Sequence, residues 1–116
     1  MSKIADDVYS TLKEVFPLST IVKEHYIRFK GAQLFFDFYI RGLGILIEVQ
    51  GEQHFKYNRH FHGSVENFRA HKYRDNLKKI YIEENPGLVL VFFYDGLDKI
   101  NKELVLSRIY EAQCNG

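Results

Sequence analysis

Apolar residues open the chain at helical spacing, Ile4, Val8, Leu12, Val15 and Phe16, with Ser2 placed to cap the first turn and Pro17 closing the run. From Thr20 to Phe29 the pattern becomes that of a strand, and Lys30-Gly31-Ala32 joins it to a second strand, Leu34 to Ile40. Arg41-Gly42-Leu43-Gly44 is a turn, and a third strand follows from Ile45 to Gln50. Residues 51 to 63 form a loop longer than most connections, rich in histidine, aromatic and basic residues. Ser64 then caps a helix reaching to about Asn85, with Val65, Phe68, Leu77, Ile80 and Tyr81 facing the core, and Pro86-Gly87 stops it. Leu88 to Tyr94 is apolar almost throughout, which predicts a central strand covered on both faces. A last helix, starting at Asp95 or Asp98 and running to about Gln113, carries Ile100, Leu104 and Ile109. The order is α-β-β-β-α-β-α, an α/β chain of mixed α+β character with no repeat, low-complexity segment or linker.

The second and third strands make a hairpin whose register the turn fixes. With Gly42 and Leu43 central in a type II′ turn, Phe38 pairs with Ile47 and Asp37 with Glu48. Ile45, Ile47 and Val49 then share one face, and Leu46, Glu48 and Gln50 share the other, beside Asp37. Two carboxylates facing each other across a ladder repel. A fold that keeps them needs a cation between them, and a hard divalent ion with oxygen ligands suits the pair. The pattern Asp, ten residues, Glu-x-Gln is thus a candidate metal-dependent active site.

A chain of 116 residues holds one domain, and 46% hydrophobic with 16% aromatic residues fits a globular one. No apolar run approaches the roughly 20 residues that span a bilayer, and the N-terminus does not read as a signal peptide, so a cytoplasmic location is expected. The single cysteine, Cys114, excludes an internal disulfide and a cysteine-rich zinc site. A net charge of +1 hides an uneven distribution. Between His54 and Lys79 seven basic residues (Lys56, Arg59, Arg69, Lys72, Arg74, Lys78, Lys79) stand against Glu66 and Asp75, an excess of five that leaves −4 for the rest. Four histidines and five aromatic residues lie in the same stretch, which fits a phosphate-binding surface.

The segment Ile47-Glu48-Val49-Gln50-Gly51-Glu52-Gln53-His54-Phe55, with the element order around it, resembles the PD-(D/E)XK nucleases. The resemblance is closer to the branch holding the very-short-patch-repair endonucleases and the phage-associated EDxHD homing endonucleases, and it covers nearly the whole chain. It implies a restriction-endonuclease-like three-layer core, a mixed four-stranded sheet flanked by helices. Four positions match the EDxHD pattern in order: Glu14 on the first helix, Asp37 on the second strand, His54 after the third, and Asp75 in Tyr73-Arg74-Asp75-Asn76. The lysine common in the Glu-x-Lys motif is Gln50 here.

By that resemblance Mg²⁺ or Mn²⁺ would be held by Asp37 and the Val49 carbonyl, with Glu48 either a direct ligand or a group behind the ligands. Gln50 would orient water or phosphate, and His54, with a near-neutral pKa, would be the general base. Glu14 and Asp75 would face the site from two helices. Lys56, Arg59, His60, His62, Arg69, Lys72 and Lys78 are the expected DNA contacts. The implied activity is phosphodiester hydrolysis in double-stranded DNA by a homing endonuclease catalytic domain, residues 1–116, cut from a longer protein or complete. A phage-infected bacterial host or a bacterium is the implied setting. The small net charge implies a homodimer or an additional DNA-recognition segment. Two alternatives stand beside it: a mismatch or structure-specific repair nuclease, and a catalytically silent nucleic-acid-binding module.

Overall fold

The computed structural model describes residues 3–51 and 65–115. Ser2 and Ser64, expected as helix caps, lie outside these residues. Seven elements follow one another: α1 (Lys3–Val15), β1 (Ile21–Phe29), β2 (Ala32–Ile40), β3 (Ile45–Gln50), α2 (Val65–Glu83), β4 (Val89–Tyr94) and α3 (Lys102–Asn115). The four strands form one mixed sheet in the order β1-β2-β3-β4. β1–β2 and β2–β3 are antiparallel, and β3–β4 is parallel. The α-β-β-β-α-β-α order and the α/β class read from the sequence are therefore those of the protein.

Each face of the sheet is covered. On one side Phe38, Ile40, Ile45, Ile47, Val91 and Phe93 pack with Ile4, Val8 and Leu12 of α1 and with Val105 and Ile109 of α3. On the other, Leu34, Phe36 and Leu46 pack with Leu77 of α2, joined by the half-buried Ile80, Tyr81 and Leu90. Full burial of Phe36, Phe38 and Phe93 supplies much of the apolar stabilisation, at roughly 25 cal/mol per Å² removed from water.

The membership of these two cores exposes a feature of β2. Leu34, Phe36, Phe38 and Ile40 alternate regularly, yet the first two belong to the α2 side and the last two to the α1/α3 side. The strand turns over at Asp37. β1 does the same at the facing position: Lys23 lies over the Tyr9 ring of α1, 4.0 Å from its centroid, whereas His25 stacks at 4.5 Å on Tyr39 of the α2-side core. The residue between them, Glu24, has φ +51°, a left-handed conformation that strains a non-glycine residue. Lys23 pairs with Phe38 and His25 with Phe36, which leaves Glu24 and Asp37 facing each other where the ribbon rolls over.

Both hairpin turns use residues at positive φ. Lys30 and Gly31, both at positive φ, close the β1–β2 hairpin as a two-residue loop between Phe29 and Ala32. In the β2–β3 hairpin the Leu43 N–H donates to the Ile40 carbonyl at 3.2 Å, so Arg41 and Gly42 are the central residues rather than Gly42 and Leu43, with Gly42 at φ +86° in the second place. The ladder still puts Phe38 opposite Ile47 and Ile40 opposite Ile45, the register expected from the sequence.

Three expectations are corrected. β4 is an edge strand, paired with β3, and β3 occupies the central position with Ile45 to Glu48 all buried. The apolar run of β4 arises because helices cover both faces of the sheet, not because strands flank it on both edges. α3 begins at Lys102: Asn101 Oδ1 accepts the Leu104 N–H at 2.8 Å, the geometry of an N-cap. Asp98 instead accepts the Tyr94 N–H at 2.7 Å and a bidentate pair from Arg108, tying the end of β4 to α3 and holding its carboxyl below the usual range. Finally, Val65 is 43% exposed and joins neither core among the described residues.

Gly44 provides a test of the packing between turns. It has φ +68°, and a Cβ there would lie 2.5 Å from the Gly87 carbonyl oxygen, while its own carbonyl accepts the Val89 N–H at 2.9 Å. Gly44→Ala should cost about 2 kcal/mol or more in urea unfolding, from left-handed strain and the clash together; a loss below about 0.5 kcal/mol would contradict this placement.

Candidate active site

β2 and β3 part company at the two carboxylates. Their ladder runs from Ile40↔Ile45 to Phe38↔Ile47, and one step further side chains replace the backbone bonds. Glu48 Oε1 accepts the Asp37 N–H at 3.2 Å, and Asp37 Oδ2 accepts the Val49 N–H at 2.7 Å. Each carboxylate therefore satisfies a main-chain donor of the other strand, at the point where β2 turns over and the ladder ends. The predicted juxtaposition is present, and the half-turn of β2 is what prevents it from becoming an ordinary ladder rung.

Glu48 is 4% exposed on the α2 side of the sheet. A buried carboxylate beside another one is costly unless a cation compensates it. That cation is Lys78 of α2, whose Nζ lies 3.0 Å from Glu48 Oε2 and 5.2 Å from the centre of the Phe36 ring. Lys78 is 13% exposed, so its ammonium group meets the clefts from their inner wall rather than from an open surface. Desolvation still prevails at Glu48: burial, helped by Asp37 and opposed by Lys78, pushes its pKa up to about 7.

Around this pair lies a cleft of roughly 630 Å³, lined by Gln33, Phe35, Asp37, Glu48, Val49, His71, Tyr73, Arg74, Asp75 and Lys78 among others. A second cleft of roughly 300 Å³ is also bordered by Glu48, Asp75 and Lys78, and adds Gln50, Lys72 and Lys79. Asp37, Glu48, Val49 and Asp75 are thus brought together, and Gln50, 9% exposed, faces the neighbouring cleft.

Glu14 is not among them. Its carboxylate pairs with Lys102 of α3 at 3.2 Å, largely in solvent, and it lines neither cleft. α1 packs on the sheet face opposite the Glu48 side chain, so a residue of that helix has no direct line to it. Arg69 and Lys72 are exposed on α2, as a phosphate-binding role requires. His54, Lys56, Arg59, His60 and His62 lie outside the described residues.

Sequence reasoning missed Lys78 as the partner of the carboxylates. The usable signal was its spacing, one residue after the core position Leu77 and three after Asp75, which turns both charged groups toward the sheet. Among the described residues no three His, Cys, Asp or Glu side chains gather as a ready-made metal cage. The donor set at the cleft is one of hard oxygens, Asp37 with the Val49 main chain, which suits an ion that keeps several waters.

No family model matches the chain, and no solved structure matches it. It is 41% identical over 49 residues to "Uncharacterized protein 307L" of Invertebrate iridescent virus 6, a stretch covering 42% of this chain and 25% of that protein.

The raised pKa of Glu48 makes a pH prediction. Between about 4.5 and 7 the folded chain keeps a proton on Glu48 that the unfolded chain has released, so stability from this group falls as pH rises through that window. His25 acts in the opposite sense, because burial and Arg41 lower its pKa from 6.5. Comparison with Glu48→Gln in EDTA separates the two. Relative to the variant, the wild type should lose a few kcal/mol between pH 4.5 and 7.5 in urea unfolding; parallel profiles would show that Glu48 titrates normally.

Proposed function

We propose that the chain is the catalytic domain of a Mg²⁺-dependent DNA endonuclease that hydrolyses phosphodiester bonds, of the type that the EDxHD homing enzymes represent. The observation that carries the reading is the Asp37, Glu48 and Lys78 cluster, two strand carboxylates and an ammonium group bordering an open cleft. Lys78 offers from a helix the positive charge that the strand motif lacks at Gln50. Few structural needs explain so costly an arrangement at a cleft, and perturbed carboxylates in clefts mark functional sites.

Asp37 and the Val49 carbonyl would hold the ion. When bound, Mg²⁺ stabilises charge building on phosphorus and acidifies water. Glu48, with its oxygens engaged by Lys78 and the Asp37 N–H, acts chiefly by fixing the ammonium group. Lys78 then presents that charge where a phosphate oxygen would sit. Asp75 borders the same space, and Arg74, Arg69 and Lys72 provide exposed positive charge along α2 for the DNA backbone. His54, three residues past Gly51, is the proposed base for the attacking water. Affinity for DNA would come from a second copy of the chain or a further recognition segment, and the setting would be the cytoplasm of a bacterium or phage-infected host.

Supercoiled plasmid provides the direct assay. Nicking is expected with Mg²⁺ and not with EDTA, and Asp37→Asn should reduce the rate roughly 100-fold or more, the scale of losing one charge-stabilising group. The amide introduced by this change keeps an oxygen that can accept the Val49 N–H, so circular dichroism should show an intact fold. Cleavage by this variant at the wild-type rate, or by the wild type in EDTA, would overturn the assignment.

A further inference from the structure

Beyond the carboxylates, β1 and β2 continue as a two-stranded ribbon. β3 pairs with Phe38, Tyr39 and Ile40, whereas β1 pairs with β2 along its length down to Ala32. One face of the ribbon, Ile27, Phe29, Leu34 and Phe36, packs toward α2. The other carries Tyr26, Arg28, Gln33 and Phe35, all exposed, with Tyr26 opposite Phe35 and Arg28 opposite Gln33. Tyr26 is 45% and Phe35 52% exposed, and their rings sit 5.2 Å apart. Phe35 and Gln33 also line the 630 Å³ cleft, where Tyr73 of α2, 59% exposed, and Arg74 join them.

Three large aromatic rings left in water, two of them on the rim of a cleft that holds a lysine–carboxylate cluster, need an occupant with its own flat apolar faces. Arg28 and Gln33 beside the Tyr26–Phe35 pair, and Arg74 beside Tyr73, offer partners for phosphate and base edges. A continuous B-form duplex hides its base faces in the stack and offers these rings nothing. An unpaired strand exposes both base faces and phosphates, and aromatic side chains interleaved with cations on a strand surface are the usual means of binding it.

We propose that this aromatic rim, Phe35 and Tyr73 with Tyr26 behind Phe35, is a stacking site for unpaired bases, so that the chain acts on DNA carrying a single-stranded segment beside the bond to be cut. The cutting part rests on the endonuclease reading; the binding part stands without it. Phe35 lies two residues before Asp37 on β2, so a base stacked on it places its neighbouring phosphate toward the carboxylates.

Fluorescence anisotropy in EDTA, with a labelled oligonucleotide as single strand, as a forked duplex and as blunt duplex, separates the two. The wild type should bind the single strand and the fork at least about tenfold more tightly than the blunt duplex. Phe35→Ala and Tyr73→Ala should each weaken binding to the first two by roughly five- to 100-fold, the range for one lost stacked base, and leave duplex binding unchanged. Phe35→Trp, which keeps a stacking face, should retain wild-type affinity, and thermal melting should show all variants folded, since neither side chain is buried. Equal or tighter binding to blunt duplex, or unchanged affinity in both alanine variants, would overturn the proposal. So would a dimer that Phe35→Ala converts to monomer without loss of DNA affinity, because the rings would then cover a second copy of this chain. Failure of the plasmid assay with the strand preference intact would sink the nuclease reading alone.

Discussion

Glu48 carries its carboxylate to the middle of the central strand, 4% exposed and one register step from Asp37, and the ammonium group of Lys78 is what makes this tolerable. In water such a contact contributes little, but here both partners are largely removed from solvent and neither can be deleted without stranding the other. The position of α2 over the sheet is therefore tied to the charge at Glu48 as well as to the packing of Leu77 against Leu34, Phe36 and Leu46. Two clefts open beside this point of contact.

The half-turn of the β1–β2 ribbon is the second determinant. It lets Phe38 and Ile40 serve one core and Leu34 and Phe36 the other, although the four alternate without interruption. Its cost is a left-handed Glu24, and its effect is to release Asp37 from the ladder so that its carboxylate meets the Val49 N–H. The strained residue lies across from Asp37, beside the carboxylate cluster. The same rotation leaves Tyr26 and Phe35 facing outward beside the cleft.

Much of this was legible in the residues. The Gly42 turn set the β2–β3 register, and hence the facing of Asp37 and Glu48, because the register of a tight hairpin is fixed by the turn itself. The element order was legible for a similar reason: helical and strand periodicities differ, and Pro17 and Pro86 punctuate them. What escaped was non-local. Nothing in the sequence of β2 announces that it turns over, since Phe36 and Phe38 are equally apolar and each finds a core. Strand order was also hidden: β4 reads as a central strand because helices cover both its faces, yet it lies at the edge. Lys78 looked like one more charge in a basic helix, and Glu14 like a site residue, until tertiary packing paired the first with Glu48 and the second with Lys102.

The coupling of Glu48 to Lys78 is open to direct measurement by a double-mutant cycle on urea unfolding in EDTA at pH 8, where Glu48 is ionised, using Glu48→Gln, Lys78→Met and the pair together. Lys78→Met leaves an ionised buried carboxylate without its cation and should cost about 3 kcal/mol, whereas the same change made in the Glu48→Gln background should cost less than about 1 kcal/mol, a coupling of about 2 kcal/mol or more. Single effects that simply add, within about 0.5 kcal/mol, would mean that the two charges do not sustain each other, and the account of this site built on their pairing would be wrong.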